Sequence, residues 1–115
     1  MEVIMAGLAV PLLPDKVDTW KAWAQELNGS RQADFDDFNR RMGLTDHRAW
    51  LTQLPTGPAV VVLHDGEGAD QFLEKLSKSD HPFDKWFRDS ISECHGMDFS
   101  TAPPGPELMI DWRAV

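Results

Sequence analysis

The sequence predicts one α+β domain, and three observations predict it. Short apolar runs closed by proline or glycine alternate with longer stretches whose apolar residues recur every three to four positions. The chain has 115 residues, room for one ordinary core and not for two, so residues 1–115 form a single domain. Five tryptophans and six phenylalanines supply that core, which needs neither a disulfide nor a structural metal at this size.

Val3 to Val10 is a nearly continuous apolar run ending at Pro11, which reads as a first strand buried on both faces. Pro14 and Asp15 suit a helix start, and Val17, Trp20, Ala24 and Leu27 recur at helical spacing until Asn28-Gly29 stops them. Ser30 can cap a second helix with a Phe35, Phe38, Met42 stripe. The pairs Asp36/Arg40 and Asp37/Arg41 sit one turn apart, supporting the helix rather than forming a site. Gly43 ends it.

His47 to Leu54 alternates as a strand, with Arg48, Trp50, Thr52 and Leu54 on one face and Ala49, Leu51 and Gln53 on the other. Pro55-Thr56-Gly57-Pro58 is a turn leading into the apolar run Ala59 to Leu63, so the two runs make a β-hairpin. If Thr56-Gly57 is its loop, His64 falls opposite Ala49 and shares a face with Leu51 and Val62, while Arg48 and Trp50 point the other way. Gly66-Glu67-Gly68 reads as a turn before a short helix carrying Ala69, Phe72, Leu73 and Leu76. A further helix starts at Asp80-His81-Pro82, with Phe83, Phe87, Ile91 and Cys94 on one stripe and Asp84, Lys85, Arg88, Asp89 and Ser92 opposite, and Gly96 ends it. Ala102 to Pro106 is irregular, and Leu108 to Trp112 reads as a last strand at a sheet edge.

This order is βαββαβ with additional helices, the ferredoxin-like arrangement. Its two central strands, Val3–Val10 and Ala59–Leu63, are expected to run parallel, which would bring His64 near Pro11–Asp15.

Nineteen acidic residues against eleven basic ones, a net charge of −8, repel phosphate backbones and anionic lipid, so neither nucleic acid nor a membrane is expected as a partner. No stretch approaches the ~18 consecutive apolar residues of a membrane span. Glu2 and the shortness of the first apolar run argue against a signal peptide. The single cysteine, Cys94, excludes an intrachain disulfide, suits a reducing cytoplasmic location and reads as a small buried hydrophobe.

PLLPDK before a Trp-rich helix, ELNGSRQADFDDFNRRMG, SDHPFDKWFR and PPGPELMIDWR together resemble an uncharacterised domain-of-unknown-function family of the dimeric α/β-barrel superfamily. The resemblance spans nearly the whole chain. It implies two ferredoxin-like protomers joining their sheets as a barrel, and it brings no established activity. The superfamily includes cofactor-independent monooxygenases, mutarotases, isomerases and some haem proteins, among which fold alone does not choose. This chain has no tyrosine, so relatives that use a tyrosine hydroxyl have no counterpart here. The both-parity apolar runs likewise call for something on the second sheet face, and a two-fold homodimer through sheet faces is the expected partner.

His47, His64, His81 and His95 form no HxH, HxxxH or HExxH pair, and neither a metal nor a cofactor is expected. Haem held by His64 or His81 would require an imidazole facing a large cavity. His64, ending an apolar strand, is the candidate catalytic residue, because a neutral imidazole can accept or donate a proton. Arg48, Trp50 and His47 at the same end of the hairpin are candidate ligand contacts. Asp80 and His81 could present an anion site at a helix start, against the simpler reading that Asp80 caps it. The tryptophans could line an aromatic cleft or simply pack the core. The function expected is binding of a small molecule, or cofactor-independent proton transfer, isomerisation or oxygenation upon it. The alternative is a non-enzymatic dimeric structural or protein-interaction module with a filled core.

Overall fold

The computed structural model describes residues 5–100 and 105–114. Its elements are β1 (Met5–Pro11), a 3₁₀ turn (Pro14–Lys16), α1 (Val17–Leu27), α2 (Gln32–Arg41), β2 (Asp46–Leu54), β3 (Gly57–Asp65), a second 3₁₀ turn (Ala69–Gln71), α3 (Phe72–Lys78) and α4 (Pro82–His95). The α+β class stands. Val3 and Ile4, expected in the first strand, and Ala102 to Pro104 lie outside the described residues.

The sheet has three strands in the order β1-β3-β2, and both pairings are antiparallel. Two expectations are thereby corrected. Leu108–Trp112 is not a strand: residues 105–114 form no regular element and are exposed, so among the described residues the βαββαβ order lacks its last member and no barrel is formed. β1 and β3 are not parallel either. A two-residue hairpin makes β3 antiparallel to β2, and α1 and α2 carry the chain back to the Met5 end of β1, so β2 enters parallel to β1 and β3 runs against both. His64 therefore pairs with Ala6 at the start of β1, at the far end of the sheet from Pro11.

The hairpin register is shifted by two from the expected one. Leu54 faces Gly57, so Pro55-Thr56 forms the loop and His64 lies opposite His47 rather than Ala49. Pro55 fits the first loop position with its fixed φ, and Gly57 takes a φ of 133°. A shift of two preserves strand faces. Ala6, Leu8, Val10, Val60, Val62, His64, His47, Ala49 and Leu51 consequently share the helix-facing side. Trp50, Arg48, Val61 and Met5 lie on the other side, exposed and uncovered by helices, so β1, expected to be buried on both faces, is half-buried on one and exposed on the other.

Phe38 of α2 is fully buried at the centre of the main core, stacking on Phe87 at 4.6 Å and meeting Phe83 and Phe72 at 5.4 and 5.8 Å. Leu27, Met42, Leu44 and Leu76 complete it. A second cluster joins Leu12, Trp20, Val60 and Cys94, and Cys94 is buried there as its stripe predicts. The guanidinium of Arg31 lies 4.0 Å over the Trp86 ring, tying the start of α2 to α4.

Four polar assignments are corrected. Asp84, expected on the solvent face of α4, is fully buried, and Arg41 grips both its oxygens at 2.8 Å while the Ser79 hydroxyl donates at 2.6 Å. Burial pushes Asp84 toward protonation, but the bonds from Arg41 and Ser79 outweigh it and hold the carboxyl below its usual range. Arg88, expected on the same face, donates to the carbonyls of Leu76, Ser77 and Ser79 and so closes the end of α3. The cap of α4 is His81, whose Nδ1 accepts from the Phe83 N–H at 3.2 Å, rather than Asp80. Likewise α2 is preceded by Arg31, and no side chain caps it.

Gly66 and Gly68 press against the loop that follows α2. A Cβ on Gly66 would collide with the Gly43 carbonyl oxygen, and one on Gly68 with that of Met42. The Gly43 oxygen accepts from the Gly68 N–H at 3.0 Å. The turn expected at Gly66-Glu67-Gly68 is thus also where two chain segments pass at backbone contact.

Candidate functional site

Between the inner sheet face and α1, α2 and α4 lies a cavity of about 520 Å³, within the range that holds small organic ligands. Its walls are Leu8 and Val62 from the sheet, Trp20 and Trp23 from α1, Phe35 from α2 and Phe87 from α4. Exposed Asn28, Ala49 and Gly105 also line it and mark its rim. Among the described residues no lysine, arginine, aspartate or glutamate lines it.

The polar groups of the cavity are mainly imidazoles. His47 and His64 face each other across β2 and β3, with ring centroids 4.4 Å apart and planes at 84°. His64 is 1% exposed and packs 4.2 Å from the Phe72 ring. His47 Nδ1 lies 2.8 Å from Asn39 Oδ1; with the amide oxygen toward the ring, Nδ1 donates and Nε2 keeps its lone pair. Burial, and secondarily the neighbouring His64, push the His47 pKa down to about 3, and burial pushes that of His64 down to about 4. Both rings are neutral at pH 7. His95, which also lines the cavity, bonds the Pro11 carbonyl at 2.8 Å, and burial lowers its pKa against the opposing effect of that bond.

Two buried polar atoms around the cavity have no protein partner: His64 Nε2 and Trp23 Nε1. Burying such a group unpaired costs on the order of 1–3 kcal/mol, and both residues line the cavity. The indole N–H can only donate, and the imidazole nitrogen can accept or donate according to tautomer.

Of the residues singled out from sequence, the cavity gathers His64 and His47. Arg48 and Trp50 stand on the opposite sheet face, where Arg48 pairs with Asp46 at 3.0 Å, because alternate strand residues point to opposite sides. Asp80 and His81 lie at the start of α4 and line no part of the cavity. Of the two candidate haem ligands, only His64 therefore reaches it. Sequence reasoning missed His95 and Asn39, and a local signal existed for both: His95 follows Phe87 and Ile91 at four-residue steps, and Asn39 follows Phe35 by four. Among the described residues no group of three or more His, Cys, Asp or Glu could hold a metal ion, and no helix is long and apolar enough to cross a membrane.

Comparison with protein-family models, with curated proteins and with solved structures finds no match.

Proposed function

We propose that this protein binds a small, uncharged, largely apolar molecule in the cavity between sheet and helices. The observation that carries the reading is the Nε2 of His64, without a partner among the described residues and buried in a wall to which they bring no charged side chain. Aromatic and aliphatic surface supplies affinity, and a single hydroxyl or carbonyl on the guest meets His64. A carboxylate would enter without a countercharge and lose its hydration. A recess of this volume with predominantly aromatic and aliphatic walls favours this reading over a purely structural module.

Binding is favoured over proton abstraction by the same burial. A base with a pKa of about 4 offers little driving force for removing a proton at pH 7. Of the reaction classes suggested by sequence, those needing only a neutral hydrogen bond to the substrate fit the site best.

The resemblance to the dimeric α/β-barrel superfamily, together with exposed Met5, Trp50 and Val61 on the helix-free sheet face, supports self-association through that face.

Calorimetric titration with 2-naphthol, naphthalene and naphthalene-2-carboxylate tests the ligand reading. The neutral alcohol is expected to bind best, and His64→Leu, which keeps most of the side-chain volume, to weaken it roughly tenfold without altering naphthalene. Equal affinity of the variant for the alcohol, or preferential binding of the carboxylate, would sink the reading.

A further inference from the structure

Among the described residues the order β1-β3-β2 makes β1 and β2 the two edge strands of the sheet. The edge formed by β2 carries Asp46 and Arg48, whereas β1 has no charged residue from Met5 to Pro11 and only a terminal proline. Exposed edges are ordinarily blunted by charge, proline, a bulge or a covering segment, because their unpaired N–H and C=O groups recruit other strands. Within Met5–Pro11 the edge of β1 carries neither a charge nor an internal proline.

The same chain holds a strand-like segment that belongs to no sheet. In Glu107–Arg113, Leu108, Ile110 and Trp112 occupy one parity, and Glu107, Asp111 and Arg113 share the other with Met109. This is the alternation of a half-buried strand. Yet Ile110 is 86% exposed and Trp112 81%, and the Arg113 side chain bonds Asp111 inside the segment. An apolar stripe this exposed marks an interaction surface.

We propose that Glu107–Arg113 of one copy adds as a strand to the β1 edge of a second copy, and that the exchange is reciprocal. Acceptor edge and donor strand occur on one chain, so two copies satisfy each other around a two-fold axis with neither left over. Pairing within one chain would cover the edge but leave Met5, Val61 and Trp50 on the open sheet face in water, whereas a second copy brings its own sheet with its strand. The segment leaves the body at Gly105 and Pro106, which line the cavity, so the exchange also fixes the rim of the ligand site. This inference rests on the self-association proposed above and specifies how it is made.

Two measurements on the full chain test it. Sedimentation equilibrium at micromolar concentration is expected to show a dimer for the natural sequence and a monomer with the same far-ultraviolet circular dichroism for the double variant Ile110→Asp/Trp112→Asp. Co-expression of a Gly7→Cys chain with a tagged Asp111→Cys chain, followed by a short thiol-specific cross-linker, is expected to join the two chains. A Cβ at Gly7 meets only the Val62 carbonyl oxygen, at 3.7 Å, so that cysteine is accommodated. A monomeric natural chain would overturn both this inference and self-association. A dimer that survives the double substitution would retain self-association and overturn strand exchange, as would a failure of the cross-linker to join the two chains.

Discussion

The imidazoles of His47 and His64 meet edge to face on neighbouring strands, 4.4 Å apart, and the protein holds both uncharged. Unfolded, each takes a proton near pH 6.5; folded, they resist protonation down to about 3 and about 4. Between those limits the unfolded chain binds more protons, so stability is complete above pH 6.5 and falls as acid is added. Lowering the pH from 7 to near 4 should cost on the order of 6 kcal/mol through these two rings. Urea midpoints across this range should fall steadily, and less steeply for His64→Leu. The Asp84 contribution, with its carboxyl below the usual range, is lost only at lower pH. A variant with the same slope as the natural protein would show that His64 takes no part.

Arg41 and Arg40 are adjacent on α2 and should differ sharply in cost. Arg40 pairs with exposed Asp36 at 3.1 Å, an interaction worth ~0.3–0.5 kcal/mol. Removing Arg41 strands the fully buried Asp84 carboxylate, which costs about 3–5 kcal/mol. Thermal denaturation of Arg41→Ala and Arg40→Ala compares them directly, and Arg41→Ala should be much the less stable. Arg41→Ala together with Asp84→Leu should recover part of the loss, because no lone charge then remains inside.

Gly68→Ala should destabilise by about 1–3 kcal/mol, since its Cβ would meet the Met42 carbonyl oxygen and the two loops must part. Gly105→Ala serves as the control, because nothing lies within 4 Å of its added Cβ. Chemical denaturation should separate the two variants clearly, and equal midpoints would show that the loops yield without cost.

Trp50→Lys removes the largest exposed ring of the open sheet face and should weaken self-association without lowering monomer stability by more than about 0.5 kcal/mol. Sedimentation checks the first expectation and circular dichroism the second. Unfolding of the variant would instead show that Trp50 packs within the protomer.

Much of the local structure was legible in the sequence because its causes are local. Helical stripes such as Phe83-Phe87-Ile91, the stop at Asn28-Gly29 and the left-handed Gly96 depend on side-chain period and backbone freedom within a few residues. Strand faces were legible for the same reason, which is why His64 and Trp50 were placed on opposite sides even with a hairpin register two residues off. The direction of β3 against β1, the pairing of His47 with His64 and the burial of Asp84 were not. Each depends on partners distant along the chain: Arg41 and Asp84 are 43 residues apart, and a charged residue on a polar-looking helix face carries no local sign that another helix will cover it.

By itself the sequence determined the α+β composition, the apolar helix stripes, the alternation of the hairpin strands and the presence of an imidazole at the end of β3. Tertiary structure alone decided that His64 should meet His47 at the cavity, that Asp80 and His81 should stand apart from it, and that Leu108–Trp112 should join no strand of its own protomer's described sheet. The physical reason is the difference between period and partnership. A side chain's direction follows from its own backbone, whereas its protonation and unmet hydrogen bonds follow from what the rest of the chain packs around it.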